Sequence, residues 1–384
     1  MGPLRVLHVY KDYPPVLGGI EKHIHTLAHL QVHMGLEVTV LVTNPQPFPR
    51  STRTSVDPGP PRVIRAGRWS TIASTPLSLA QAAWQRRLTA DIVHLHFPYP
   101  PGEVANYLWG RGRRTVLTYH SDVVRQRILL RLYRPLLWRI LRSVDAILAT
   151  SPAYVQTSPF LRKLTERVHV IPLGIDPTPF FHPDPNTVSD IRGRWARNGA
   201  GPVLLFVGRL RYYKGLDVLL DALVHIPNAL LWVIGRGPME DAWQHRAKVL
   251  GLTGRVRFIG DVEEEQLPLY YAAADLFVLP ATQRAEAFGL VLVEAMMAGL
   301  PVISTELGTG TSFINIHGET GLVVPPNDVG ALVRAIRTLL DAPDLRTRMG
   351  HTARARALAE FTADTMARRV LDVYRQTLEN PPNK

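Results

Sequence analysis

The apolar positions of this chain fall mostly in short, unbroken runs of Val, Ile and Leu. Between the runs, apolar residues recur every three or four positions. In the first half the runs cover residues 4–10, 37–43, 91–96, 115–120, 145–150 and 167–171. In the second half they cover 203–208, 230–235, 255–259, 276–279, 301–304 and 321–324. Runs without alternation suit strands buried on both faces, the condition of a parallel sheet covered by helices. Two such series predict an α/β protein of two Rossmann-like, doubly wound domains, residues 1–178 and 179–361, with a ligand cleft between them. The junction, residues 176–202, opens DPTPFFHPDPN and continues with a helical pattern over 188–198. A last helical pattern, 362–378, can pack back on the first domain as part of a segment 362–384, whose final four residues should fray. The proline-rich stretch 44–61 reads as a flexible surface loop.

Composition narrows the class. With 46% hydrophobic and 20% charged residues among 384, a packed core is expected and wholesale disorder is excluded. The chain has no cysteine, which removes disulfide scaffolds, thiolate metal sites and cysteine nucleophiles. The longest near-apolar stretch, 287–303, is interrupted by Glu294 and Pro301, so no spanning helix is expected. No secretory signal is recognisable at the N-terminus, and a cytoplasmic location is expected.

The net charge of +12 is one-sided. Residues 1–180 hold 22 Lys and Arg against 10 Asp and Glu, whereas residues 181–384 hold 22 of each. The densest stretch lies between Val123 and Arg142 and carries Arg125, Arg127, Arg131, Arg134, Arg139 and Arg142 without an acid. Leucines, Tyr133 and Trp138 are interleaved at near-helical spacing, the pattern of a helix lying on an anionic membrane surface. The competing reading is a surface helix whose arginine stems cover the core. Pro135 should kink this segment or divide it. No nucleic-acid motif accompanies the charge, and nucleic-acid binding is not expected.

Four segments carry candidate chemistry. In EAFGLVLVE, Glu286 precedes a helix that begins near Gly289, and Glu294 is the only charge between Ala287 and Ile303. A carboxylate in such surroundings needs hydrogen-bond donors, which sugar hydroxyls or an internal partner can supply. The amides of Phe288, Gly289 and Leu290 open that helix. In VGRLRYYKG, Gly208 ends a strand and Arg209 and Lys214 follow it, two cations suited to a diphosphate. Gly18 and Gly19 precede a helix and allow close backbone approach, a weak phosphate-loop signal, and Gly235 sits in a similar turn. In YHSD, His120 ends a strand and is a candidate hydrogen-bonding or acid–base group. His94 and His96 share a strand face, but the sequence offers no further ligands, so no metal site is expected. No Asp-x-Asp pair occurs either.

Together, GGIE at 18–21, YHSD at 119–122, IPLGID at 171–176, VGRLRYYKG at 207–215, EAFGLVLVE at 286–294 and HGETGLVVPPND at 317–328 resemble the retaining family 4 glycosyltransferases of the GT-B fold. The resemblance runs through nearly the whole chain, with the motifs in order. It implies a nucleoside-diphosphate-sugar donor on the C-terminal domain and a glycan or lipid-linked glycan acceptor on the N-terminal one. It assigns catalytic work to His120, Arg209, Lys214 and Glu286. Arg209 and Lys214 would hold the diphosphate in place of a metal. Glu286, Ala287 and the amides of Phe288, Gly289 and Leu290 would hold the transferred sugar, and Glu294 the ribose. Gly18, Gly19, Gly208 and Gly235 would line the donor, with His120 beside the sugar. No cofactor is implied. The loop 307–315, LGTGTSFIN, lacks the acid that many members carry there. That variant is similar to bacterial surface-polysaccharide mannosyltransferases using GDP-mannose, which points to a peripheral enzyme on the inner face of the plasma membrane. A UDP-sugar enzyme making a small soluble glycoside and a catalytically silent scaffold remain the alternatives.

Overall fold

The structure, a computed structural model, describes residues 2–16, 18–46, 48–72, 75–122, 127–195 and 201–380. The chain divides into two compact units, Met1–Leu173 with Ala363–Lys384, and Gly174–Thr362. The first break falls a few residues before the expected 178.

The first unit is built on strands β1 (Arg5–Val9), β2 (Glu37–Thr43), β3 (Ser55–Asp57), β4 (Arg62–Ala66), β7 (Thr89–Phe97), β8 (Arg111–Tyr119), β9 (Ala146–Ala149) and β10 (Val168–Val170), in the order β10-β9-β8-β7-β1-β2-β4-β3. All neighbours are parallel except β3 and β4. A separate antiparallel hairpin joins β5 (Ser70–Ile72) and β6 (Thr75–Leu77). The second unit holds β11 (Val203–Val207), β12 (Leu230–Ile234), β13 (Val256–Gly260), β14 (Leu276–Leu279), β15 (Val302–Thr305) and β16 (Gly321–Val324), all parallel in the order β13-β12-β11-β14-β15-β16. The apolar runs are what this arrangement requires. VLLFV of β11 and AILA of β9 are buried at every position because helices cover both faces.

The helix Ala363–Glu379 belongs to the first unit. Its buried stripe, Met366, Ala367, Val370, Leu371 and Tyr374, repeats at helical spacing and joins Ile24, Leu27 and Ala28 of the helix Gly19–His33 in one core. Arg114 on β8 anchors its end by donating to the carbonyls of Thr377 and Asn380.

Three local expectations change. The stretch 44–61 is not simply a flexible loop. It contains a 3-10 turn, Arg50–Thr52, and β3, because buried Asn44 donates from Nδ2 to the carbonyls of Arg50 and Arg53. β4 reads RVIRA, with Val63, Ile64 and Ala66 inside while Arg62 stays exposed, so its charges hid the strand. Pro135 does not divide the arginine-rich segment, since one helix runs Arg127–Ser143 through it. Arg131 and Pro135 are both exposed, so the carbonyl that loses its amide partner is not sealed in the core. The start of that segment, with Arg125, lies outside the described residues. Among the described residues no helix is long and apolar enough to cross a membrane.

Candidate active site

In the second unit the site grows from the carboxyl end of β11, where open parallel sheets bind ligands. The strand ends at Gly208, whose φ of +139° excludes most side chains, and a Cβ there would meet Lys214 Nζ at 3.2 Å. The chain then makes a 3-10 turn, Tyr212–Lys214, and reaches Gly215 at φ +71°. A side chain at 215 would overlap the carbonyl oxygen of Pro280 just after β14. Glycine at both positions therefore lets the loop press Lys214 inward.

Lys214 is buried, and its Nζ lies 2.7 Å from Glu286 Oε2. The contact is a close, charge-assisted ion pair between two buried side chains. Burial pulls the lysine pKa down, but Glu286, Tyr213 and Glu294 more than offset this, and the net shift is upward. Lys214 is thus a cation held permanently charged by two acids. Glu286 sits in the loop before the helix Leu290–Met297, which starts from Gly289 at φ +92°. The carbonyls of Glu286 and Ala287 accept from Thr309 Oγ1 at 2.9 Å and the Gly310 amide at 2.8 Å. The acid-free loop 307–315 therefore braces the Glu286 loop by donating to its backbone carbonyls. A Cβ at 310 would sit 2.7 Å from Phe288 Cα. The amides at the start of the helix, Leu290 among them, have no partner within it.

Glu294 is buried in the helix and accepts a 2.8 Å hydrogen bond from Tyr271 Oη. Its burial is met by an internal donor, one of the two outcomes the sequence left open. Burial and then Glu294 hold the Tyr271 hydroxyl well above its ordinary pKa, so it stays a donor. Sequence reading missed Tyr271, whose only trace is an aromatic pair before β14. Arg209 is exposed on the loop, whereas Lys214, Glu286 and Glu294 are buried. Gly235, at φ +113°, abuts the Gly208 carbonyl, so a side chain there would collide with the loop that follows β11.

In the first unit, Gly18 precedes the helix Gly19–His33 in extended conformation. A side chain at 18 would overlap the carboxylate of buried Glu21, whereas nothing lies within 4 Å of one at Gly19. Only Gly19 offers the open approach expected of a phosphate loop. His120 follows β8 and is buried.

His120 belongs to a group that the sequence did not foresee. His8 on β1, His94 and His96 on β7, His23 on the helix Gly19–His33 and His120 are all buried together. His8 Nδ1 and His96 Nε2 are 3.0 Å apart, and His96 Nδ1 and His120 Nε2 are 3.1 Å apart. Burial is the main cause that pulls every member's pKa down, to about 4 for His8 and about 3 for His23. They are neutral imidazoles at neutral pH. His94 and His96 do have further ligand nitrogens beside them, supplied by His8, His23 and His120. The missing signal was long-range: β1 lies beside β7, which sets His8 next to His94.

Two doubly wound α/β units, one with a buried lysine between acids at its strand ends, define a class that the comparisons make specific. Residues 17–178 match the family Glycosyltransferase Family 4, and residues 188–356 match Glycosyl transferases group 1. The D-rhamnosyltransferase WbpZ of Pseudomonas aeruginosa is 42% identical over 94% of this chain and 93% of its own length. The O-antigen chain mannosyltransferase C of Escherichia coli is 37% identical over 98% of this chain and 100% of its own. A solved sucrose-phosphate synthase from Thermosynechococcus elongatus shares the fold, with a TM-score of 0.80 at 24% identity over 97% of this chain and 98% of that one. The chain belongs to the family 4, group 1 glycosyltransferases. It is a glycosyltransferase, and its α/β domains are those of the GT-B fold.

Proposed function

We propose that the enzyme transfers a hexose, with mannose from GDP-mannose as the favoured donor, to a glycan or polyprenyl-linked glycan during cell-surface polysaccharide synthesis. The names of the two relatives support this reading, one an O-antigen chain mannosyltransferase and the other a D-rhamnosyltransferase. D-rhamnose is D-mannose without its 6-hydroxyl, so those two donors differ by one oxygen. The observation that carries the proposal is the buried Lys214–Glu286 pair beside Glu294 at the strand ends of the second unit.

In this reading the second unit binds the donor and the first the acceptor. Lys214 and Arg209 stabilise the charge that develops on the departing diphosphate, the task a metal performs in other transferases. Glu286 takes sugar hydroxyls on its carboxylate. The amides from Phe288 to Leu290 support the same sugar, and Glu294 takes the ribose. Gly19 admits the phosphates, and His120 contacts the transferred sugar. The acceptor hydroxyl attacks C1 from the face the diphosphate leaves, its proton passes to the departing phosphate oxygen, and configuration is retained.

The helix Arg127–Ser143 is proposed to rest on the anionic inner face of the plasma membrane. Leu132 is 76% exposed on it, among exposed Arg131, Arg134, Arg139 and Arg142. Apolar side chains between cations are what a lipid interface takes up. Two measurements test the proposal. In a thermal-shift panel of GDP, UDP and ADP, only GDP should raise the melting temperature; at 100 times its dissociation constant a ligand adds about 2.7 kcal/mol. A response to UDP alone would reject the donor. Flotation with anionic vesicles should show binding at low salt that is lost at high salt, and no binding at low salt would reject the membrane contact.

A further inference from the structure

The buried histidines are joined in an order that constrains their protons. Gln31 Oε1 lies 2.8 Å from His8 Nε2, and Gln31 Nε2 donates to Tyr374 Oη at 3.2 Å. His94 uses both nitrogens as well, Nδ1 with Tyr374 Oη and Nε2 with Thr118 Oγ1, each at 2.6 Å. A neutral imidazole has one donor and one acceptor nitrogen. Because Gln31 Oε1 can only accept, His8 must donate from Nε2 and accept at Nδ1. His96 must then donate from Nε2 and accept at Nδ1, and His120 must donate from Nε2 into His96. That leaves His120 Nδ1 unprotonated. Reversing the Gln31 amide would reverse every proton in the row, so the glutamine controls the outcome in either orientation. His23 packs edge-to-face against His96 and His120, at ring-centroid separations of 5.8 and 5.1 Å, and restrains their planes.

We propose that Gln31, acting through His8 and His96, sets the tautomer of His120 and presents its Nδ1 as a hydrogen-bond acceptor to a hydroxyl of the transferred sugar. This rests on the reading of His120 as a sugar contact. Gln31, His8 and His96 are positioning residues, and the outer end of their chain is held by Tyr374 of the C-terminal helix. A bound metal is the competing use of these rings. The row disfavours it, because His8, His94 and His96 already have both nitrogens engaged at hydrogen-bond distances.

The test is 15N NMR of histidine-labelled full-length protein, with the His120 signals assigned by their loss in His120→Ala. Wild type should carry the proton at Nε2. Gln31→Met should give mixed tautomers and a fall in kcat of roughly ten- to a hundredfold, the scale seen when an outer partner that orients an imidazole is removed. Gln31→Glu keeps an acceptor and should restore both the tautomer and most of the rate. His8→Phe cuts the row while filling its space, and should mix the tautomers as Gln31→Met does. A proton at Nδ1 in wild type, an unchanged tautomer in both Gln31→Met and His8→Phe, or near-stoichiometric zinc in the purified protein would each overturn the proposal. Wild-type transfer by His120→Ala would instead remove His120 from the sugar site, a failure separate from the tautomer result.

Discussion

The two units bury polar chemistry at the strand ends of similar sheets and solve the electrostatic problem in opposite ways. In the second unit, charge is kept. Lys214 stays ionised under full burial because Glu286 touches it and Glu294 lies near. In the first unit, charge is removed. Five histidines are neutral because nothing anionic compensates their burial; His8, His94, His96 and His120 bond to one another, Gln31, Tyr374 and Thr118, while His23 only packs against them. The difference suits the division of labour proposed above: a fixed cation for a diphosphate in one unit, and directional neutral hydrogen bonds for a hydroxyl in the other.

The largest expected effect comes from breaking the charged solution. Lys214→Met strands Glu286 as a buried anion and should cost about 3–5 kcal/mol of stability, with at least about a hundredfold loss of transfer. Denaturant melts and a donor-turnover assay measure the two. Adding Glu286→Gln should return most of the stability, since Glu286 is then no longer a stranded charge and Glu294 keeps its Tyr271 donor, and none of the transfer. If the double variant is no more stable than Lys214→Met alone, pairing is not what keeps the lysine charged.

Acid should break the neutral solution next. The histidine pKa values are lower in the folded chain than in the unfolded one, so the unfolded state binds more protons below about pH 6.5. Their contribution is fully present above that pH. It should be lost as pH falls toward about 4 for His8 and about 3 for His23. Urea midpoints between pH 7 and pH 4 should decline steadily in wild type and less steeply in His23→Phe, because His23 has no hydrogen-bond partner at either nitrogen. Equal slopes would show that burying a neutral His23 does not contribute to acid stability.

The smallest effect sharpens the role of Glu294. Tyr271→Phe removes a neutral donor from a buried carboxylate and should cost about 1–3 kcal/mol of stability. With a ribose taking up the freed oxygen, nucleotide affinity should change by less than about tenfold, read by calorimetry. Glu294→Gln should weaken nucleotide binding more than Tyr271→Phe does. The reverse order would make Tyr271 the nucleotide contact.

Much of the fold was legible because the signals are local. β2, β14 and β16 fall on the expected residues, and Gly208, Gly215 and Gly289 mark the turns where backbone sterics admit little else. β4 was hidden by its arginines, and Tyr271 by the ordinariness of an aromatic pair in a helix. Glu294 stood out as a lone acid, yet its sequence surroundings do not name the hydroxyl that meets it.

By itself the sequence determined the two doubly wound sheets, the order of the glycine turns and the placing of Lys214 and Glu286 in loops and of Glu294 inside a helix, because burial pattern and backbone freedom act over a few residues. Only the tertiary structure decided that the helix Ala363–Glu379 returns to the first unit, and that His8, Gln31, His94, His96, His120 and Tyr374 form one hydrogen-bonded network. The reason is topological. The order β8-β7-β1 sets strands side by side that are far apart along the chain, and such contacts leave no periodic trace in it.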